Sequence, residues 1–85
     1  MWFVYLLQSK KDHTFYIGYT DNLKRRLKEH NEGRTKSIKH KIPFILKYCE
    51  IYCNKTVARK RELELKNNSF KKKELIERIL NISEK

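Results

Sequence analysis

The hydrophobic pattern changes its period along the chain, and each change predicts an element. Trp2 to Leu7 is dense in aromatic and β-branched residues, which suit a pleated, half-buried surface, and predicts a strand. The polar stretch Ser9-Lys10-Lys11-Asp12-His13 turns the chain, and Thr14 to Tyr19 predicts the antiparallel partner of a hairpin. Leu23 and Leu27 form the apolar stripe of a short helix, with Thr20 or Asp21 as its cap and Gly33 in the stop position. Arg34 to Lys41 reads as a basic loop. Pro43 then opens a third strand through Phe44, Leu46, Tyr48 and Ile51, at a strand start where its missing N–H is tolerated. Asn54 or Thr56 caps a second helix to about Lys66. Ser69 caps a third, whose Leu75, Ile76, Ile79 and Leu80 recur at helical spacing. The order β-β-α-β-α-α predicts an α+β fold, a small three-stranded antiparallel sheet flanked by three helices. With no repeat, linker or low-complexity segment, residues 1–85 are expected to form one domain.

Polar residues interrupt two of the predicted apolar faces. On the first helix Arg26 and His30 lie one turn apart beside the leucine stripe, so they point toward the sheet edge. On the second, Glu62 shares a face with Ala58 and Leu65. A carboxylate on a core-facing stripe needs a partner, because desolvating it unpaired is costly. Structural explanations exist for each residue. Glu62 can pair with Arg26 or a nearby lysine, and His30 can sit at the negative end of the helix dipole. Tyr5 and Tyr16 can be half-buried sheet aromatics with solvated hydroxyls.

Charge narrows the choice. The chain carries 21 Lys+Arg against 10 Asp+Glu, a formal net charge of +11, with basic residues from Lys10 to Lys85. Such a surface favours polyanions, most simply nucleic acid. A chain of this size buries only roughly 60–65 % of its unfolded surface, which leaves little room for an enclosed organic cofactor. Cys49 and Cys53 fit neither a CxxC redox pair nor a four-ligand zinc site and are expected to be free thiols in a reducing cytoplasm. No apolar run approaches the length of a membrane span, and the first residues do not form a secretory signal. The expected location is the cytoplasm.

In order and spacing, the polar residues resemble the GIY-YIG endonuclease superfamily, in particular its small stand-alone members. Tyr16-Ile17-Gly18 is the second half of the motif intact. Phe3-Val4-Tyr5 keeps the tyrosine of the first half, eleven residues earlier, and replaces its glycine with Phe3. In Asn22 to His30 the family's arginine falls on Arg26 and its histidine on His30. The segments Lys36 to Pro43 and Ala58 to Lys66 resemble two further stretches of the stand-alone members, and the metal-binding glutamate falls on Glu62. The resemblance runs from Trp2 to about Ile79. The nuclease domains of the nucleotide-excision-repair endonuclease and of the GIY-YIG homing endonucleases are similar. Tyr19 stands where the repair endonucleases carry a lysine. Many relatives have an asparagine about a dozen residues after the glutamate, a position that here falls on Glu74.

The resemblance implies a metal-dependent endonuclease that hydrolyses DNA with low sequence specificity, in DNA repair or recombination. Tyr5, Tyr16, Arg26, His30 and Glu62 would be catalytic. Glu62 would hold one Mg²⁺ or Mn²⁺ ion, and Arg26 would grip the scissile phosphate. Tyr5 would take a proton from water once nearby cations lowered its pKa from about 10. Tyr16 and His30 would orient water or relay the proton, and Gly18 would let the backbone turn out of the strand. Lys24, Arg25, Lys36, Lys39 and Lys41 would contact phosphates. DNA is the expected partner, with no membrane or organic cofactor, and the protein a monomer or weak dimer. One alternative is a catalytically silent nucleic-acid-binding module on the same fold. Another is an interaction domain that uses its aromatic sheet face.

Overall fold

The computed structural model describes residues 1–83; the last two residues of the expected 1–85 domain lie outside it. Its elements are β1 (Trp2–Ser9), β2 (Phe15–Thr20), α1 (Leu23–Asn31), a short 3₁₀ turn (Lys39–Lys41), β3 (Phe44–Tyr52), α2 (Lys55–Asn67) and α3 (Ser69–Ser83). The three strands pair antiparallel in the order β2-β1-β3, so β1 is central. The predicted α+β order holds, and the predicted ends are off by one or two residues.

The caps differ from expectation. Thr20 closes β2, and its hydroxyl accepts from the Asn22 amide. The Asn22 carboxamide then caps α1 by accepting from Arg25 N at 3.0 Å. Asn54 caps α2 as expected. Asn68, not Ser69, caps α3: its side chain accepts from Lys71 N, and its own N–H closes α2 on the Glu64 carbonyl. One asparagine thus serves two helices, which explains the tight α2–α3 junction. Gly33 does follow α1 with φ +80, a left-handed position that suits glycine.

Because β1 is central, both of its faces are covered. Val4 and Leu6 join Ile17, Ala58, Leu65, Leu75 and Ile79 under α2 and α3. Tyr5 and Leu7 join Ile38 and Phe44 on the opposite face, beside Leu23 and Leu27 of α1. This explains the nearly continuous apolar run of β1, which alternation in a one-sided sheet would not give. Pairing of β1 with β3 shifts register between Leu6 and Leu7, leaving Lys47 opposite no partner as a bulge. Asn31 fastens the end of α1 to β3 by bonding both N and O of Phe44, at 2.7 and 3.1 Å.

Candidate active site

The site begins with a gap in β2. Gly18 lies directly opposite Tyr5 in the β1–β2 register. A Cβ built on Gly18 would overlap the Oη and Cζ atoms of Tyr5. The Tyr5 ring therefore crosses β2 through the space of a missing side chain and carries its hydroxyl toward the sheet edge. Gly18 sits within the strand, so its expected role in turning the backbone is corrected: it is needed for close approach, not for a turn.

Helix α1 meets that hydroxyl from above. His30 is fully buried, and its Nε2 lies 2.8 Å from Tyr5 Oη. Its Nδ1 lies 2.9 Å from the hydroxyl of Thr35. The Tyr16 ring meets the imidazole edge-on at 5.2 Å between centroids. Burial, then repulsion from Arg26, lowers the His30 pKa to about 4, so the ring is neutral at physiological pH. Tyr5 moves the other way from expectation. Burial pushes its pKa up to about 12, and the hydrogen bond from Arg26 only partly offsets this. Desolvation outweighs the neighbouring cation because the ring is only 2 % exposed. The image of solvated tyrosine hydroxyls is wrong for Tyr5.

Helix α2 supplies the carboxylate. Ala58, Glu62 and Leu65 share the buried face, as the periodicity predicts. Glu62 is only 3 % exposed. It pairs with Arg59 through one oxygen, and with Lys66 through the other at 3.4 Å, rather than with Arg26. Arg26 instead contacts Glu29 at 3.3 Å. The same two cations tie Glu62 to the β2 aromatics. Arg59 lies 5.2 Å over the Tyr19 ring, and Lys66 lies 5.4 Å over Tyr16. Arg59 and Lys66 stand three residues before and four after Glu62, the spacing of helical ion pairs, so this cradle was legible in the sequence. Thr35 carried no such signal.

Metal fit follows from the donor set. Among the described residues no three His, Cys, Asp or Glu side chains gather into a chelating cluster. Glu62 is a buried carboxylate facing two cationic groups whose side chains are 47 % and 38 % exposed. It suits a hard ion that keeps most of its waters and takes one protein carboxylate, as Mg²⁺ does.

The expected phosphate-binding residues divide. Arg25 lines an open cleft with Arg26, although Asp21 holds it at 3.1 Å. Lys36 is exposed on the loop beyond Thr35, and Lys39 is exposed at the start of the 3₁₀ turn. Lys24 lies along an apolar groove with Phe3, Leu23, Leu27 and Leu46. Lys41 is occupied: its ammonium donates to the Thr14 hydroxyl at 2.7 Å and pairs with Asp12, clamping the hairpin turn.

A family model described as the GIY-YIG catalytic domain matches residues 1–74. The chain belongs to this family. GIY-YIG domains form a nuclease superfamily, and the three strands and three helices above are its fold. The chain is 38% identical over 72 residues to a UPF0213 protein of Staphylococcus haemolyticus, covering 84% of this chain and 87% of that one. A UPF0213 protein of Natronomonas pharaonis is 41% identical over 73 residues, 85% of each chain. The solution structure of the UPF0213 protein BH0048 from Bacillus halodurans is 36% identical, with a TM-score of 0.55 over 89% of this chain and 82% of that one. Among the described residues no helix is long and apolar enough to cross a membrane.

Proposed function

We propose that the protein is a divalent-metal-dependent endonuclease that hydrolyses DNA phosphodiester bonds with little sequence specificity. The observation that carries this reading is the delivery of the Tyr5 hydroxyl across Gly18 onto neutral His30, beside Arg26. Tyr5 is too weak an acid to be ionised at neutral pH. It serves as a relay instead: as it takes a proton from the attacking water, it passes its own to Nε2 of His30. This requires the tautomer in which Nδ1–H donates to Thr35, so Thr35 positions the base. Arg26 presents a planar fork to the phosphate oxygens, where charge develops in the transition state. A cation held by Glu62 would supply Lewis-acid stabilisation of the phosphate and leaving oxygen. Arg25, Lys36 and Lys39 add phosphate contacts that position DNA without reading sequence. A cutter of this kind fits work in DNA repair or recombination.

The test is nicking of supercoiled plasmid with Mg²⁺ or Mn²⁺ by wild type, Glu62→Ala and Tyr5→Phe. Both variants should lose activity, and nicking that survives in both would sink the proposal. The silent-binder reading draws support from the two cations already seated on Glu62 and from Glu74 in the asparagine position. Its signature would be salt-sensitive gel shifts without metal-stimulated nicking.

A further inference from the structure

One aromatic pair takes no part in the chemistry above. Trp2 and Tyr19 stand as diagonal neighbours at the end of the sheet, half-buried, with ring centroids 6.0 Å apart. Lys55 from the first turn of α2 lies 5.4 Å over Trp2, and Arg59 lies 5.2 Å over Tyr19. Trp2, Tyr19 and Lys55 line the same open cleft as Arg25 and Arg26. The pair is thus continuous with the phosphate-gripping end of the site.

We infer that Trp2 and Tyr19 form a stacking platform for an unpaired DNA base next to the scissile phosphate, which makes single-stranded DNA the preferred substrate. This rests on the nuclease reading above. The cations hold the ring faces while no strand is present. Their ring contacts are weaker than base–aromatic stacking, so an arriving strand exchanges them. Bases take the ring faces and Lys55 moves to the phosphates. Arg59 leaves the Tyr19 face while its ion pair with Glu62 still holds it to α2. Paired bases cannot make this exchange, because their own faces are already stacked within the duplex. Stacking accepts any base, in keeping with low sequence specificity.

Trp2 is the chain's one tryptophan, so its fluorescence reports on the platform directly. A short oligothymidylate should quench it. A strand of equal length with abasic sugars, or a duplex of the same length, should bind through phosphates with little quenching. Tyr19→Leu keeps an apolar side chain toward the core and removes the π face. It should weaken oligothymidylate binding by roughly 5- to 150-fold while leaving duplex binding unchanged. The inference is overturned if the abasic strand quenches Trp2 as strongly as oligothymidylate does. It is equally overturned if Tyr19→Leu, melting like wild type, binds oligothymidylate as tightly as its parent. If the variant melts early, the comparison of strands on the wild-type protein decides alone. A failure of the nuclease reading would show separately, as the absence of metal-stimulated plasmid nicking or as nicking that survives in both Glu62→Ala and Tyr5→Phe.

Discussion

The molecule contains two constellations with one inventory: two tyrosines, an arginine and a glutamate. One is Tyr5, Tyr16, Arg26 and Glu62, with His30 packed against both tyrosine rings. The other is Tyr48, Tyr52, Arg61 and Glu50 on β3 and α2. In the second, both tyrosines donate to Glu50 at 2.7 Å, and Arg61 grips it twice, at 2.9 and 3.0 Å. Burial opposes ionisation of Glu50, yet these hydrogen bonds together hold its pKa at about 2. Both carboxylate oxygens are saturated by groups on two elements, so the cluster is a knot. In the first, the Tyr5 hydroxyl bonds the His30 imidazole at 2.8 Å rather than the carboxylate. The Glu62 partners are half-exposed side chains of its own helix. Chemistry is available where donors and acceptors are left mismatched. Residue types alone do not separate the two.

The largest expected effect is on Glu62. Glu62→Gln should lower nicking by ~10²–10³-fold or more while shifting stability by less than about 1 kcal/mol, because the neutral amide is cheaper to bury than the carboxylate and the half-exposed Arg59 and Lys66 can turn to water. Glu50→Gln should do the reverse, costing roughly 2–3 kcal/mol by chemical denaturation and leaving nicking per folded molecule unchanged. If Glu50→Gln abolished cleavage in folded protein, the contrast between knot and site would fail.

Gly18→Ala should cost both properties. The added Cβ has nowhere to go without moving the buried Tyr5 ring, so about 1–3 kcal/mol of stability and most nicking should be lost. Its effect should be strongly non-additive with Tyr5→Ala, which empties the contested space. Additive costs in a denaturant double-mutant cycle would show that the two residues do not compete for that space.

The two regions should also fail in different pH windows. The His30 pKa is lowered on folding, so the unfolded chain binds the extra proton first. Its contribution is complete above about 6.5 and is lost as pH falls through about 4. Glu50 is likewise lowered, and its contribution is lost from about 4.5 down through about 2. Each window should steepen the fall in stability by up to ~1.4 kcal/mol per pH unit. His30→Gln should erase the upper window and Glu50→Gln the lower, in denaturant melts across pH. The smallest effect belongs to Lys36→Gln and Lys39→Gln. Each should reduce the slope of log affinity against log salt by about 0.7–0.9 without altering the metal requirement of nicking.

How much the sequence reveals depends on how local the cause is. Ala58, Glu62 and Leu65 are legible as one face because helical spacing is rigid. The element order along the chain is legible because hydrophobic runs and turn residues agree, whereas the central place of β1 in the sheet is not. The caps of α1 and α3 fall one or two residues from their expected places, since Thr20, Asp21 and Asn22, or Asn68 and Ser69, are near-equal cap residues and the choice depends on where strand or turn ends. The reason for Gly18 is hidden because its role lies in the residue facing it across the hairpin. The sign of the Tyr5 shift is hidden because charge can be counted in a sequence and burial cannot. Glu50 gives no signal of its own. Its tyrosines at two residues to either side are visible as one strand face, but Arg61 joins them only through the packing of α2.

The gap at Gly18 makes the chemistry a check on the hairpin itself. If β2 slipped by one residue, Ile17 or Tyr19 would stand where Gly18 now faces Tyr5, and a side chain would fill the passage. The hydroxyl would then be barred from His30 even though every residue of the proposed site remained in the molecule. A misaligned chain would keep its net charge of +11 but lose this contact. On the proposed reading, correct pairing of the first two strands is therefore the condition for cutting.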